Sequence, residues 1–188
     1  MKFEQSFEIA APVETVWAAL IDVEFVAPCL PGAEISGRED DGSYKGTFTV
    51  KLGPTTASYN GVLRIEEADE TTHTATLHAR GTDKRGQGGA TATIVNRMTA
   101  TDDGTRVDAT TDFAITGRLA RFGRGGMIED ISDRLLRDFA TCLQAKLARP
   151  SGADEPAAPP AAPAEPVRGI SLFFSVLLER LRRLLRRG

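Results

Sequence analysis

The sequence predicts an α+β domain in which a curved antiparallel sheet wraps around one long C-terminal helix. Two observations carry the prediction. Six consecutive segments between Ala33 and Thr116 place apolar residues at every second position, with turn signals between most of them. After them, Met127 to Leu147 carries apolar residues at helical spacing over its whole length.

Taken in order, residues 2–9 alternate Phe3, Gln5, Phe7 and Ile9 with polar partners and read as a strand. Pro12 stands where a helix can begin, and Val13, Val16, Trp17 and Leu20 follow at helical spacing. Residues 22–27 can add a helical turn or two, stopped by Pro28 and the Pro31-Gly32 turn. The six strand segments are 33–39, 43–52, 55–68, 73–81, 88–101 and 105–116. They are punctuated by Asp40-Asp41-Gly42, Gly53-Pro54, Asp69-Glu70 and Asp102-Asp103-Gly104. Short turns between consecutive strands predict an antiparallel meander. A glycine- and arginine-rich connection, 117–126, leads to the long helix, whose stripe is Ile128, Ile131, Leu135, Phe139 and Cys142. Strand, two short helices, six strands and a long helix is the order of the helix-grip architecture.

Charge divides the chain into three parts: a domain over 1–147, a linker over 148–167 and a tail over 168–188. The domain holds 16 Lys/Arg against 22 Asp/Glu. Such an acidic body argues against nucleic acid as partner, because phosphate contacts need a basic face. The linker is Pro, Ala and acid, a composition that buries no core and extends at about 3.1 Å per residue to roughly 60 Å. The tail holds six Arg against one Glu.

In that tail Ile170, Phe173, Phe174, Leu177, Leu178, Leu181, Leu184 and Leu185 recur at i, i+3, i+4. Ser171, Ser175, Glu179, Arg182 and Arg186 take the other face, and Arg183 and Arg187 add to the charge. The apolar run 170–178 is too short to span a bilayer, which needs about 20 residues. A basic amphipathic helix with Phe and Leu on one side is the pattern of binding in the membrane interface. A helix docked in a partner's groove, or folded back on its own domain, is the alternative.

The start of the chain has neither a basic n-region nor an apolar h-region, so secretion is not expected. Two cysteines, Cys29 and Cys142, are too few for a disulfide framework or a zinc site, and free thiols in a reduced cytosolic protein are expected.

The alternation also says which residues face the helix. They include Phe48, Tyr59, Gly61, Leu63, Leu77 and Ala79, then Ala92, Ile94, Phe113 and Ile115. Many inner positions are Gly or Ala, so the sheet leaves volume before the helix stripe of Ile128, Ile131, Leu135 and Phe139. Close packing requires that this volume be filled by a guest, or removed by moving the sheet towards the helix. The first outcome is an apolar cavity, with Leu119 and Phe122 of the connection as a lip. The alternative for those two is a plug at the end of the core.

Catalytic patterns are thin. His73 and His78 are expected at the surface, and Asp108 and Asp112 share the solvent face of one strand. Cys29 has no neighbouring base and is expected as a packed thiol. The glycine-rich loop 81–89 joins two strands, so it lacks the helix N-terminus of a phosphate cradle. No metal cluster is expected.

Four ordered stretches, ALIDVEFVAPCLPGAEI (19–35), KLGPTTASYNGVLRI (51–65), GQGGATATI (86–94) and TDFAITGRLARFGRGGMIEDI (111–131), carry a further signal. Together they resemble the carbon monoxide dehydrogenase G-subunit family of the START-like helix-grip superfamily, over residues 1–147. The resemblance implies a non-catalytic accessory of a molybdenum hydroxylase such as aerobic carbon monoxide dehydrogenase, attached at the inner face of the cytoplasmic membrane. Anionic lipids are the expected surface for the tail. The cavity is expected to take menaquinone, another quinone or a lipid, with no cofactor of the protein's own. A pure recruiter without ligand, and a small START-like cyclase or hydrolase, are the alternatives.

Overall fold

A computed structural model describes residues 1–52, 55–117, 120 and 126–148. Among them, seven strands build one antiparallel sheet: β1 Lys2–Ile9, β2 Ala33–Arg38, β3 Tyr44–Leu52, β4 Thr55–Asp69, β5 Thr74–Asp83, β6 Gly89–Thr101 and β7 Gly104–Ile115. Their spatial order is β1-β7-β6-β5-β4-β3-β2. β2 to β7 are therefore the expected meander, and β1 closes the sequence by pairing with the last strand. The sheet curves, and α3, Met127–Leu147, crosses its concave side. The predicted α+β helix-grip fold is the observed one.

Between β1 and β2 lie α1 Val13–Ile21, α2 Val23–Val26 and a 3-10 turn, Ala27–Cys29. Asp22 starts α2 by accepting a hydrogen bond from the Phe25 amide at 3.0 Å. As expected, α2 ends just before Pro28, which sits in the following 3-10 turn at a position where no amide donor is required.

The main core lies at one end of the sheet, where Ile9, Val16, Trp17, Ala19, Ala75, Met98, Val107 and Leu143 pack together. Leu143 and Val16 have no exposed surface. Leu143 is not in the predicted stripe of α3; of that stripe, Ile128, Ile131, Leu135 and Phe139 are half-buried, and Cys142 lies beside the sealed Leu143. The last two turns of α3 are held firmly. Gln144 Oε1 accepts from the Ala10 amide at 2.7 Å, and Lys146 Nζ donates to the Phe25 carbonyl at 2.7 Å while lying over the Phe25 ring.

One expectation is overturned here. Cys29 and Cys142 are not free thiols: they form a disulfide that joins the 3-10 turn to α3, with 5.3 Å between their Cα atoms and a sequence separation of 113. Packing α3 onto that turn brings the two side chains within bonding reach. A count of two cysteines excludes a multi-bridge framework but says nothing about a single bridge.

Glycine is required at Gly46 in β3, where a Cβ would overlap the Glu34 carbonyl oxygen of β2. The β2–β3 pairing slips beside it, between Ile35 and Gly37.

Candidate functional site

Strand register places the predicted inner residues in rows across the concave face. Leu63 pairs with Ala79, Ala79 with Ala92, and Ala92 with Phe113. The next row towards the main core is Ile65, Leu77, Ile94 and Thr111. On the other side, Gly46 pairs with Gly61 and Gly61 with Gly81, followed by Ala90 and Ile115. Phe48 pairs with Tyr59 beyond them.

These rows are closed at both ends. At one end Leu77 and Phe139 pack against the main core. At the other, Ala57 and Tyr59 form a second cluster with Val50, Ala90, Ile115 and Ile131 of α3. Between the clusters, Leu63, Ala79, Ala92, Ile94, Phe113 and Leu135 are only half-buried although they stand at the middle of the sheet or on the helix facing it. Phe48, Gly61 and Ile128 are likewise half-buried and belong to neither cluster. Residues in this position are ordinarily sealed in a packed interior. Here they leave a band of partly exposed apolar surface along the concave face, the candidate groove. Leu119 and Phe122 lie outside the described residues, as does the whole tail, Ile170 to Arg187.

Tyr59 edges the groove with 7 % of its surface exposed. Burial pushes its phenol above the ordinary range and the nearby Asp83 carboxylate adds to the shift, so the ring stays neutral. Its side chain lies across Gly81, where a Cβ would stand 3.1 Å from the tyrosine Cβ. Two surface clefts, of about 460 and 410 Å3, lie elsewhere: one beside the start of α1, the other between β1 and α3. Neither contains a residue of the groove's central rows.

The polar residues singled out in the sequence fall outside the groove. Asp108 pairs with Arg106 at 2.9 Å, and Asp112 lies 3.9 Å from the N-terminal amine. His73 departs from its expected place: it sits in the β4–β5 turn with φ of 47°, its ring edge-on to Trp17 at 5.7 Å, half-buried rather than at the surface. His78 is half-buried as well, on β5 between Arg64 and Thr93. In the 81–89 loop the Asp83 carboxylate itself accepts from the Arg85 amide at 2.8 Å, so a donor that a phosphate cradle would use is occupied. No group of three or more metal-binding side chains occurs among the described residues. No helix among them is long and apolar enough to cross a membrane.

Sequence reasoning missed two concave positions, Asn96 and Thr111. The same alternation that selects Ile94 and Phe113 also selects them, but both are polar, and a search for an apolar lining passes over them.

The sequence pattern of the CoxG family, the G-subunit of carbon monoxide dehydrogenase, matches residues 6–148. The chain belongs to that family. No curated protein matches it. Among solved structures, a conserved protein from Geobacillus kaustophilus is 22 % identical with a TM-score of 0.69, covering 79 % of this chain and 95 % of its own. The Zhui aromatase/cyclase from Streptomyces sp. R1128 is 18 % identical with a TM-score of 0.58, covering 81 % and 98 %. A START superfamily protein from Mycobacterium smegmatis is 16 % identical with a TM-score of 0.51, covering 78 % and 96 %. At these identities the structural neighbours share the fold with this CoxG family member, and the family match ties the chain to carbon monoxide dehydrogenase.

Proposed function

We propose that this CoxG family member is a non-catalytic accessory of carbon monoxide dehydrogenase, or of a related molybdenum hydroxylase, which it brings to the inner face of the cell membrane. Its groove carries an apolar ligand, a quinone such as menaquinone, between the bilayer and the soluble enzyme. The observation that supports the ligand is the line of half-buried Leu63, Ala79, Ala92, Ile94 and Phe113 between two packed clusters. Burial of such surface releases about 25 cal/mol per Å2, enough to hold a water-insoluble ring without polar contacts along its length. A quinone suits the setting because the electrons of carbon monoxide oxidation have to reach a membrane acceptor. The basic amphipathic tail supports the membrane half of the reading.

Substitution tests the groove. Ala92→Phe, or Ala79→Phe, fills its middle. Co-purified or added ligand should fall about ten-fold while stability changes by less than about 1 kcal/mol, whereas overpacking a filled core costs about 1–3 kcal/mol. Thermal unfolding and ligand recovery on the same preparations give the answer. Strong destabilisation with unchanged ligand would mean that the alanines face ordinary core.

A further inference from the structure

The groove has a polar end. Asn96 on β6 stands between two buried alanines, Ala75 on β5 and Ala109 on β7, which are 4 % and 7 % exposed. Thr111, one row along, stands between Ile94 and Phe3 and is 9 % exposed. The two are diagonal neighbours across β6–β7, with Cα atoms about 7–8 Å apart, close enough for both side chains to reach one ligand group. Both share the concave face with Met98 and Val107 of the main core, and both sit where that core gives way to the Ala79–Ala92 row.

Neither side chain hydrogen-bonds to another protein group among the described residues, whereas the neighbouring Gln5 is satisfied by Asp133 at 2.6 Å and by Ser132 at 3.3 Å. No side-chain nitrogen or oxygen among the described residues is sealed without a partner. The amide of Asn96 and the hydroxyl of Thr111 therefore still reach open space on the concave side. Polar groups left so in an apolar wall weaken packing and cost free energy unless something bonds to them.

We infer that Asn96 and Thr111 are the head-group anchor of the groove: together they donate hydrogen bonds to a carbonyl oxygen on an uncharged ring. Both are neutral, and burying an anion in an apolar groove without a paired cation is costly, which favours a ketone or quinone oxygen over a carboxylate or phosphate. The ring enters head first and lies against the main core. Its apolar remainder runs past Ala79, Ala92 and the Gly61–Gly81 row, a path of about 20 Å from Asn96 to Ala90 at strand rise. This inference rests on the groove being a ligand site, and the experiment separates the two.

Full-length protein is titrated calorimetrically with two probes of one ring skeleton, menadione and 2-methylnaphthalene, which lacks the oxygens. Wild type should bind both. In the double variant Asn96→Leu, Thr111→Val, the ratio of menadione to 2-methylnaphthalene affinity should fall about ten-fold, the combined loss of two hydrogen bonds, with the hydrocarbon affinity retained. Thr111→Val alone keeps the shape of the side chain and should lower the ratio about three-fold, and Thr111→Ser should keep it; these single variants decide the matter if the double variant does not fold. An unchanged ratio with both probes bound overturns the anchor and leaves the groove standing. Binding of neither probe to wild type overturns the groove and the anchor together.

Discussion

Removal of residues 167–188 is expected to leave a folded domain that no longer sediments with anionic vesicles. Among the described residues, both packed clusters lie at or before Leu147, and the deletion removes none of their members. What it takes is the basic amphipathic segment. Its five arginines from Arg180 to Arg187 are each worth about 1 kcal/mol beside an anionic leaflet, and Phe173, Phe174 and the leucines add apolar burial. The affinity lost is therefore large, on the order of a thousand-fold or more from the charges alone. Raising the salt should weaken wild-type binding without abolishing it, because screening acts on the arginines and not on the apolar face. Equal sedimentation of truncated and full-length protein would remove the tail from the account.

The second large effect concerns the bridge that the cysteine count does not suggest. Cys29→Ser with Cys142→Ser opens a loop spanning 113 residues. The chain-entropy account puts the loss at about 4–5 kcal/mol, a sizeable part of the stability of any domain this size. A fall in Tm of about 10–20 °C is expected, matched by wild type in a thiol reductant. The firm attachment of the last turns of α3 through Leu143, Gln144 and Lys146 should keep the reduced protein folded at room temperature. Identical melting of oxidised, reduced and double-serine protein would show that the bridge contributes nothing. The result also bears on location: in a reducing cytoplasm the domain would work with the weaker, thiol form.

How much of this is legible in the sequence depends on whether the signal is local. Each strand carries its own period of two, and each turn its own Asp, Gly or Pro, so β1 to β7 and α3 fall within two residues of their expected bounds. The placement of the small residues Gly61, Ala79 and Ala92 on the concave face is legible for the same reason. The disulfide is not legible, since it depends on where α3 lands on the 3-10 turn 113 residues earlier. Nor is Leu143: the stripe of α3 predicts a helix face, but only the packed sheet shows that Leu143 is sealed while Cys142 is drawn to Cys29. The alternation of its neighbours predicts His73 on a strand, yet it takes a left-handed turn conformation with its ring edge-on to Trp17, a tertiary contact. Asn96 and Thr111 are legible as positions but not as a site. Their proposed role rests on facing the concave side without a side-chain hydrogen bond to the protein among the described residues, which only the fold reveals.

The carriage of an apolar ligand is the centre of the account, and one measurement tests it directly. Full-length protein purified without detergent is extracted with organic solvent, and the extract is examined by mass spectrometry against an extract of the Ala92→Phe variant. The account predicts a quinone, in an amount approaching one per chain in wild type and much reduced in the variant. An extract free of quinone and lipid, from protein that still binds membranes and carbon monoxide dehydrogenase, would contradict it and leave a recruiter whose groove carries nothing.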